Sequence, residues 1–514
     1  MPKIDQKWLV GIAVALGALL EIIDTSIVNV AIAEMQASLG ASLTQMSWVV
    51  SSYAIANVIV LPLAAWLGQR FGKKRYFVAS LVGFVAASIL CGLSTSLWML
   101  TVARVLQGLF GGGLLAKAQA ILFETFPREE QAMAQAFFGA IVVAGPVIGP
   151  TLGGYIVTNI GWRWIFFVNV PVGIGAIAMC VATLPADKLV LDKSPIDWIA
   201  IALLAIGLGS LQTFLEEGYS DDWFDSPFIT ATAVLAALGI VLFVVRQLRA
   251  RRPVVDFRVL RYRSLAAGSV LSVVVGMALY GATFAIPVFA SSVMRYNAQQ
   301  IGVLMLPGAI GSALMMPIAG KLIRHFDPRV LLAAGGAILA LAVLWLGRLN
   351  PGTGEGDLFA PLLVRSFGTV LMFLPLSMAA LGPIPKEEIA AATGFYSLTR
   401  QLGGSIGVAL LSTVLGMRQA FHRSVLVEKL GVTDADVQTR LAALTNGFLA
   451  KGVDLTTARQ RALQVLDGGV NLQSAVLSFN DVFLVTAALV ALTLPLVFAL
   501  GKPKGGAAAA AGAH

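Results

Sequence analysis

The stretch "LLEIIDTSIVNVAIA", residues 19–33, sets two acids, Glu21 and Asp24, in a run otherwise apolar enough to lie in hydrocarbon. An ionised acid at the centre of a bilayer costs about 2.5–3.5 kcal/mol on insertion scales, so such residues face protein or water and are functional by default. Three residues apart, the two share one face of a helix. A carboxylate withdrawn from water, with a second acid beside it, can take up and release a proton near neutral pH. The chemistry on offer is proton carriage. The alternative is a structural ion pair, and Arg104 in "ARVLQGLFGGG" (103–113) is the cation best placed to form it. An arginine keeps its charge, so in an apolar run a carboxylate or several carbonyls must compensate it. Arg104 either responds to protonation of the first helix or clamps it permanently. Arg365 and Arg400 stand in the second half, which has no comparable acid in its first helix, and read as structural. Lys117 reads as a side chain that snorkels to the surface.

These residues must be held by helices in lipid. The chain has 514 residues, 58% hydrophobic and 12% charged, with a mean hydropathy of +0.84. Soluble domains carry about 25% charged residues. A chain this apolar cannot present a wetted surface, so its fold class is an all-α polytopic membrane protein. A bilayer-spanning helix needs about 20 mostly apolar residues. Fourteen such runs are legible, near 9–32, 46–68, 76–95, 98–120, 132–155, 164–184, 197–215, 228–246, 265–289, 301–320, 330–347, 359–381, 392–416 and 479–500. Trp8, Trp48, Trp98, Trp164, Trp198 and Trp345 fall at or near their ends, where an amphipathic ring prefers the interface.

Lysine and arginine in short loops set orientation. With a cytoplasmic N-terminus, the inner loops include "QRFGKKR" (69–75), "RQLRARRPVVDFRVLRYR" (246–263) and "KLIRHFDPR" (321–329). The short outer loops carry Arg163, Arg295 and Arg348, and "LEEGYSDDWFDS" (215–226) is acidic with no base. The net charge of +9 therefore reports topology, and nucleic acid is not an expected partner. The apolar run after "MPKIDQKW" is too long for a cleaved leader and is expected to stay as an anchor. Cys91 and Cys180 lie in apolar runs and the three histidines are far apart, so neither a disulfide framework nor a metal cluster is expected.

An internal repeat is visible. "ARVLQGLFGGG" echoes "VRSFGTVLMFL" (364–374), aligning Arg104 with Arg365, and "GPVIGP" (145–150) echoes "GGSIGV" (403–408), both about 260 residues apart. The expected domains are a six-helix bundle over 1–190, two inserted helices over 191–250, and a second six-helix bundle over 251–514. The last includes a polar outer loop at 417–478, with helical-looking stretches such as "DADVQTRLAALTNGFLA", and a low-complexity tail at 501–514. Parallel halves about an axis normal to the membrane form a transporter architecture, with substrate at their interface. Tyr53, Asn57, Tyr280, Phe284, Phe395 and Tyr396 are candidates for the pocket, because aromatic walls suit flat hydrophobic or cationic compounds. Lipid-facing or core packing is the competing role for each.

Several stretches carry a family resemblance over nearly the whole chain. They are "DTSIVNVAIA", "LGQRFGKKR", "RVLQGLFGGG", "AGPVIGPTLGGYI" and "GWRWIFFVNVPVG". In combination they resemble the fourteen-span drug:proton antiporters of the major facilitator superfamily, of the EmrB/QacA type. The long outer loop and the Gly/Ala tail are similar to its EmrB-like members. The resemblance implies the major facilitator fold, and it implies proton coupling through Asp24. It also makes Gly145, Pro146, Gly149, Pro150, Gly153 and Gly154 the antiporter motif, a tightly packed, kinked pivot of which no chemistry is expected. From spacing alone these glycines signify close helix packing. The loop between spans 2 and 3 departs from the superfamily pattern, with Ala65, Gln69 and Lys73 in place of Gly, Asp and Arg. Arg70, Gly72, Lys73 and Lys74 remain as the gate candidates.

No HExxH motif or Walker loop is present, so no enzyme is expected and energy must come from an ion gradient. No cofactor is expected beyond the proton as coupling ion. The expected function is export of hydrophobic or cationic drug-like compounds across a bacterial inner membrane, with both termini cytoplasmic. The resemblance also implies a periplasmic adaptor and an outer-membrane channel as partners. The alternatives are an exporter of one metabolite or siderophore, or a non-transporting sensor.

Overall fold

The computed structural model describes residues 5–187, 195–251, 253–430 and 434–497, and the tail at 501–514 lies outside them. Among the described residues every regular element is a helix, and fourteen long rods follow one another. In the first half they are Gln6–Leu39 (span 1), Leu43–Val60 continuing through Leu61–Leu63 into Ala64–Phe71 (span 2), and Lys73–Gly92 (span 3). Leu97–Thr125 (span 4), Arg128–Asn159 (span 5) and Trp164–Thr183 (span 6) complete it. Trp198–Glu217 and Pro227–Arg249 are spans 7 and 8. The second half holds Arg263–Ser292, Ala298–Leu322, Pro328–Leu346, Glu355–Leu381, Ile389–Glu428 and Leu455–Leu496, spans 9 to 14. Helix starts are marked by local chemistry. Ser42 and Asn297 each close a capping box with the glutamine three residues on.

Eleven rods are by themselves long and apolar enough to cross a membrane. Spans 5, 9 and 13 are each packed between neighbouring helices. Lipid-facing surface is plain elsewhere: Val82, Ile174, Leu238, Leu341, Trp98 and Trp198 are all exposed.

The halves repeat each other contact for contact. Span 1 packs on spans 5, 4 and 6, and span 9 on spans 13, 12 and 14. Span 2 packs on span 4 as span 10 does on span 12, and span 3 lies between 4 and 6 as span 11 lies between 12 and 14. The two seams between halves are related in the same way: span 5 meets span 10, and span 13 meets span 2. Spans 7 and 8 pack on each other at Gly207 and Gly239, and span 7 lies along spans 2 and 13.

Spans 5 and 10 touch along their length, at Gly302 and Thr151, Gly139 and Met316, and Gly320 and Ala136, whereas the seam at span 13 is uneven. Span 13 meets span 2 chiefly through Leu61–Phe71 and span 4 through Leu114–Thr125, the portions nearest the basic loops. There Lys386 Nζ donates to the Glu124 carbonyl at 3.0 Å, and Phe123 enters the core of the second half. Toward the opposite face Thr25, Asn29 and Tyr280 are exposed on spans 1 and 9. The structure is closed at the basic-loop face and cleft between spans 1 and 9 toward the other.

The segment expected as a polar loop at 417–478 is helical over most of its length. Span 13 runs on to Glu428, a helix spans Ala435–Leu449, and the last rod begins at Leu455. That last rod has 42 residues, about 63 Å at 1.5 Å per residue, twice the hydrocarbon thickness of about 30 Å. Arg423 Nη2 bonds Asp467 at 2.7 Å and its Nε bonds Asn471 at 2.8 Å, so the two extensions form a projecting pair.

Candidate functional site

The site begins with a break in span 4. Its first segment, Leu97–Gly111, ends at Gly112, and Gly113 takes φ +72° before the helix resumes at Leu114–Thr125. A side chain at Gly108 or Gly112 would strike the backbone of span 2 at Tyr53 or Asn57, and one at Gly111 would strike Phe84. The glycine run thus bends span 4 and draws span 2 against it. The new helix start exposes backbone N–H groups in mid-membrane, the arrangement by which broken helices in transporters meet charge.

Glu21 occupies that start. Its Oε2 accepts the Leu115 N–H at 2.8 Å and its Oε1 accepts Asn57 Nδ2 at 2.7 Å. Glu21 keeps a little exposure (8%) where Asp24 has none. One turn along span 1, Asp24 pairs through Oδ2 with Arg104 Nη1 at 2.5 Å. Its Oδ1 accepts Gln107 Nε2 at 2.7 Å and Asn169 Nδ2 at 3.0 Å. Arg104 also donates from Nε to the Val49 carbonyl at 3.1 Å, and its guanidinium lies 4.2 Å from the Tyr53 ring centre. Ser88 Oγ ties the amides together, accepting from Gln107 at 3.2 Å and from Asn169 at 3.0 Å. A buried pair with its remaining lone pairs and protons satisfied is the form such a pair must take.

The antiporter-motif glycines face span 1 beside these acids. Gly145 lies against Ile22, Gly149 against Ser26, and Gly153 against Ile27 and Val30. Span 5 runs as one helix through Pro146 and Pro150 to Asn159, with Gly154 buried; the side chain of Pro146 lies outside the described residues. In the second half Gly403 and Gly407 hold the backbone of span 9 in the same way.

The basic loop ties its own half together. Lys73 Nζ reaches Glu124 at 2.7 Å, and Lys74 Nζ donates to the carbonyls of Val181 and Leu184 at 2.7 and 2.8 Å. Asp187 accepts the Lys74 N–H at 2.9 Å, at the start of span 3. Gly72 has φ +92° and abuts Asp187, while Arg70 lies over Trp66.

The six pocket candidates separate. Tyr280 is exposed in the cleft, and Phe284 is half-buried in the same helix. Tyr53 and Asn57 are buried and serve Arg104 and Glu21 instead of walling a pocket. Phe395 packs edge-on against Phe257 on the connecting segment at the basic-loop face, and Tyr396 is buried in the core of the second half. Aromatic type marked all six, but only helix phase and bundle position decide which surface each meets.

Sequence reading missed Gln107, Asn169 and Ser88. Polar residues at helical phase with Arg104 were the available signal for Gln107; the other two lie in separate helices. It also missed Glu217, placed in an acidic loop but in fact buried at the end of span 7, accepting Ser51 Oγ at 2.6 Å and Ser47 Oγ at 3.1 Å. Arg400, read as structural, lines the same small cavity as Glu21.

Comparison with known proteins decides the family, since the sequence profile described as Major Facilitator Superfamily matches residues 14–408. The chain belongs to that superfamily. Among its relatives, the multidrug export protein EmrB of Escherichia coli (strain K12) is 32% identical over 98% of this chain and 97% of its own. The fatty acid resistance protein FarB of Neisseria gonorrhoeae is 29% identical, covering 96% of each chain. The colistin resistance protein EmrB of Acinetobacter baumannii is 30% identical, covering 97% of each. The crystal structure of the human organic anion transporter MFSD10 shares the fold, with a TM-score of 0.57 at 14% identity, covering 95% of this chain and all of that one. The major facilitator fold and the EmrB-type resemblance are thereby borne out. The chain is a multi-pass membrane transporter of small molecules and not an enzyme.

Proposed function

We propose that this major facilitator transporter exports hydrophobic or cationic drug-like compounds in exchange for protons, by alternating access. In this reading it lies in a bacterial inner membrane with both termini and the basic loops cytoplasmic. The named activities of the EmrB relatives support the substrate class. The observation that carries the coupling is the contrast between the two acids of span 1. Asp24 has its counter-charge in place and no exposure, whereas Glu21 is held by neutral donors and lies where the cleft narrows.

A proton entering from the cleft reaches Glu21 first. The Asp24–Arg104 pair, one turn away, holds span 1 to span 4 and to the Val49 carbonyl of span 2, so it conveys the charge change to the helices that must move. No cofactor takes part. One proton descending 100 mV yields about 2.3 kcal/mol, and one pH unit about 1.4 kcal/mol. Together they sustain roughly a five-hundredfold gradient of a neutral compound. The test is reconstitution in proteoliposomes. An imposed pH gradient should drive fluorescent-cation transport in the wild type, fail to drive it in Asp24→Asn, and drive it only weakly in Glu21→Gln. Transport by both variants at the wild-type rate, uphill, would sink the coupling. Absence of drug transport by the wild type alongside transport of one metabolite would make the chain a narrow-specificity exporter.

The projecting helix pair supports a tripartite assembly with a periplasmic adaptor and an outer-membrane channel. It stands beyond the membrane on the face opposite the basic loops and exposes Met417, Phe421, Leu455 and Val465.

A further inference from the structure

Where the halves close, a cavity of about 20 Å³ lies between them, walled by Glu21 and Leu115 of the first half and by Tyr280, Ser397 and Arg400 of the second. That volume has room for a single water. Arg400 is buried at 3% exposure. Its guanidinium stands 5.0 Å from the Phe373 ring centre and 5.6 Å from that of Tyr396. Rings attract the cation but accept no conventional hydrogen bond. Nη1 of Arg400 has no partner among the described residues, and neither has the hydroxyl of Ser397 one turn earlier. A buried guanidinium with an orphan donor is costly unless an acceptor completes it.

The charged and titratable groups around Glu21 are few. Asp24 shares its helix and is already paired with Arg104. Tyr53 on span 2 stacks on that arginine, and Lys117 on span 4 donates to Ser80 at 2.8 Å beneath Tyr76. From the second half come Tyr280 on span 9 and Arg400 on span 13. Lys117 and Arg400 are the cations whose charge acts on Glu21, and of the two it is Arg400 that belongs to the opposite half.

We propose that Glu21 and Arg400 form a proton-sensitive latch across the seam between the halves, joined through the small polar cavity that both line. The ionised carboxylate attracts Arg400 and holds the basic-loop face shut. Protonation from the cleft removes the attraction, leaves Arg400 uncompensated, and lets that face open. Loss of the proton on the other side, as cargo binds, restores the attraction and drives closure with cargo facing the cleft. This rests on proton exchange at Glu21 and adds the partner through which the exchange moves the bundles. Arg400 is a positioning residue here, acting through Glu21.

The test reads the opening itself. Spin labels at Phe71 and Phe326, one in each half and both exposed, report distance across the basic-loop face of the full chain in nanodiscs, with Cys91 and Cys180 replaced by serine. The wild type should be closed at pH 8 and open as pH falls. Arg400→Gln and Glu21→Gln should each raise the open-to-closed ratio at pH 8 about tenfold, a typical coupling between sites, and the double variant should do no more than either. Lys117→Gln removes a cation of Glu21's own half, so it should move the opening pH but add its effect to that of Arg400→Gln, where Glu21→Gln does not. Arg400→Lys, which keeps the charge and serves if Arg400→Gln fails to fold, should stay closed at pH 8 but open at a higher pH than the wild type. Additive effects of Glu21→Gln and Arg400→Gln, an effect of Lys117→Gln in place of Arg400→Gln, or an unmoved opening pH in Arg400→Lys would overturn the latch. Proton-driven export weakened in Glu21→Gln would still stand in that case, so the two failures are distinguishable.

Discussion

The carboxylate of Glu21 accepts the backbone N–H of Leu115 at 2.8 Å, closing the start of the second segment of span 4. An acid at a helix start is stabilised by the partial positive charge there, and span 4 has such a start in mid-membrane because Gly113 sits at φ +72°. A side chain in that conformation costs about 1–2 kcal/mol. Gly113→Ala is therefore expected to shift the break, deprive Glu21 of its donor, and slow pH-driven transport in inverted vesicles by tenfold or more while the protein still folds. Normal transport would show that the break is incidental to Glu21.

Asp24→Asn leaves Arg104 buried without its counter-charge. Breaking one side of a buried pair costs about 3–5 kcal/mol, so the melting temperature should fall together with uphill export. The double variant Asp24→Asn/Arg104→Gln should regain much of the stability and none of the transport. Recovery of both would reduce the pair to a structural clamp.

Glu21→Gln bears on stoichiometry. A monovalent cation exchanged for one proton moves no net charge, leaving about a tenfold gradient per pH unit. Two titrating acids permit two protons per cation and recruit the membrane potential. The substitution should weaken accumulation of cations more than of neutral compounds in vesicles with an imposed potential. Equal losses would argue for a single exchanging acid.

Gly149 touches Ser26, one turn beyond Ile22 and beside Asp24. Gly149→Val inserts a branched side chain at a helix–helix contact, and overpacking costs about 1–3 kcal/mol. Slower exchange of the two faces is expected, read as a fall in turnover at unchanged drug affinity. A change in affinity with turnover intact would place the motif at the cargo site instead.

Arg423→Glu places an acid opposite Asp467 and should splay the projecting helices. Expulsion through the whole cell envelope is expected to fall, with transport in inner-membrane vesicles unaffected. Loss of both would make the extensions part of the transporter's own fold.

Much of this was legible in one dimension because the bilayer imposes lengths and charges on the chain. A stretch of hydrocarbon demands a run of apolar residues wherever it is crossed, and an acid inside such a run stands out without any structure. Asp24 and Arg104 were marked in that way, and so was the repeat of "GPVIGP" in "GGSIGV". Within 417–478 the helical look of "DADVQTRLAALTNGFLA" agrees with the helix at Ala435–Leu449, but the extension of spans 13 and 14 was not legible, because two long helices bracing each other through Arg423 and Asp467 outside the membrane leave little trace in hydropathy.

Asp24, Glu21 and Arg104 were determined as candidates by residue type alone, since charge in oil must have a reason. Which acid is sealed and which meets the cleft was decided by tertiary structure. It depends on a bend in span 4 and on the approach of span 13, whose Arg400 lies 379 residues beyond Glu21 (400 − 21). The same holds for the aromatic candidates, of which Tyr280 reached the cleft and Tyr396 the core. Local sequence records the cost of a group. Only the packing of distant helices supplies the partner that offsets it.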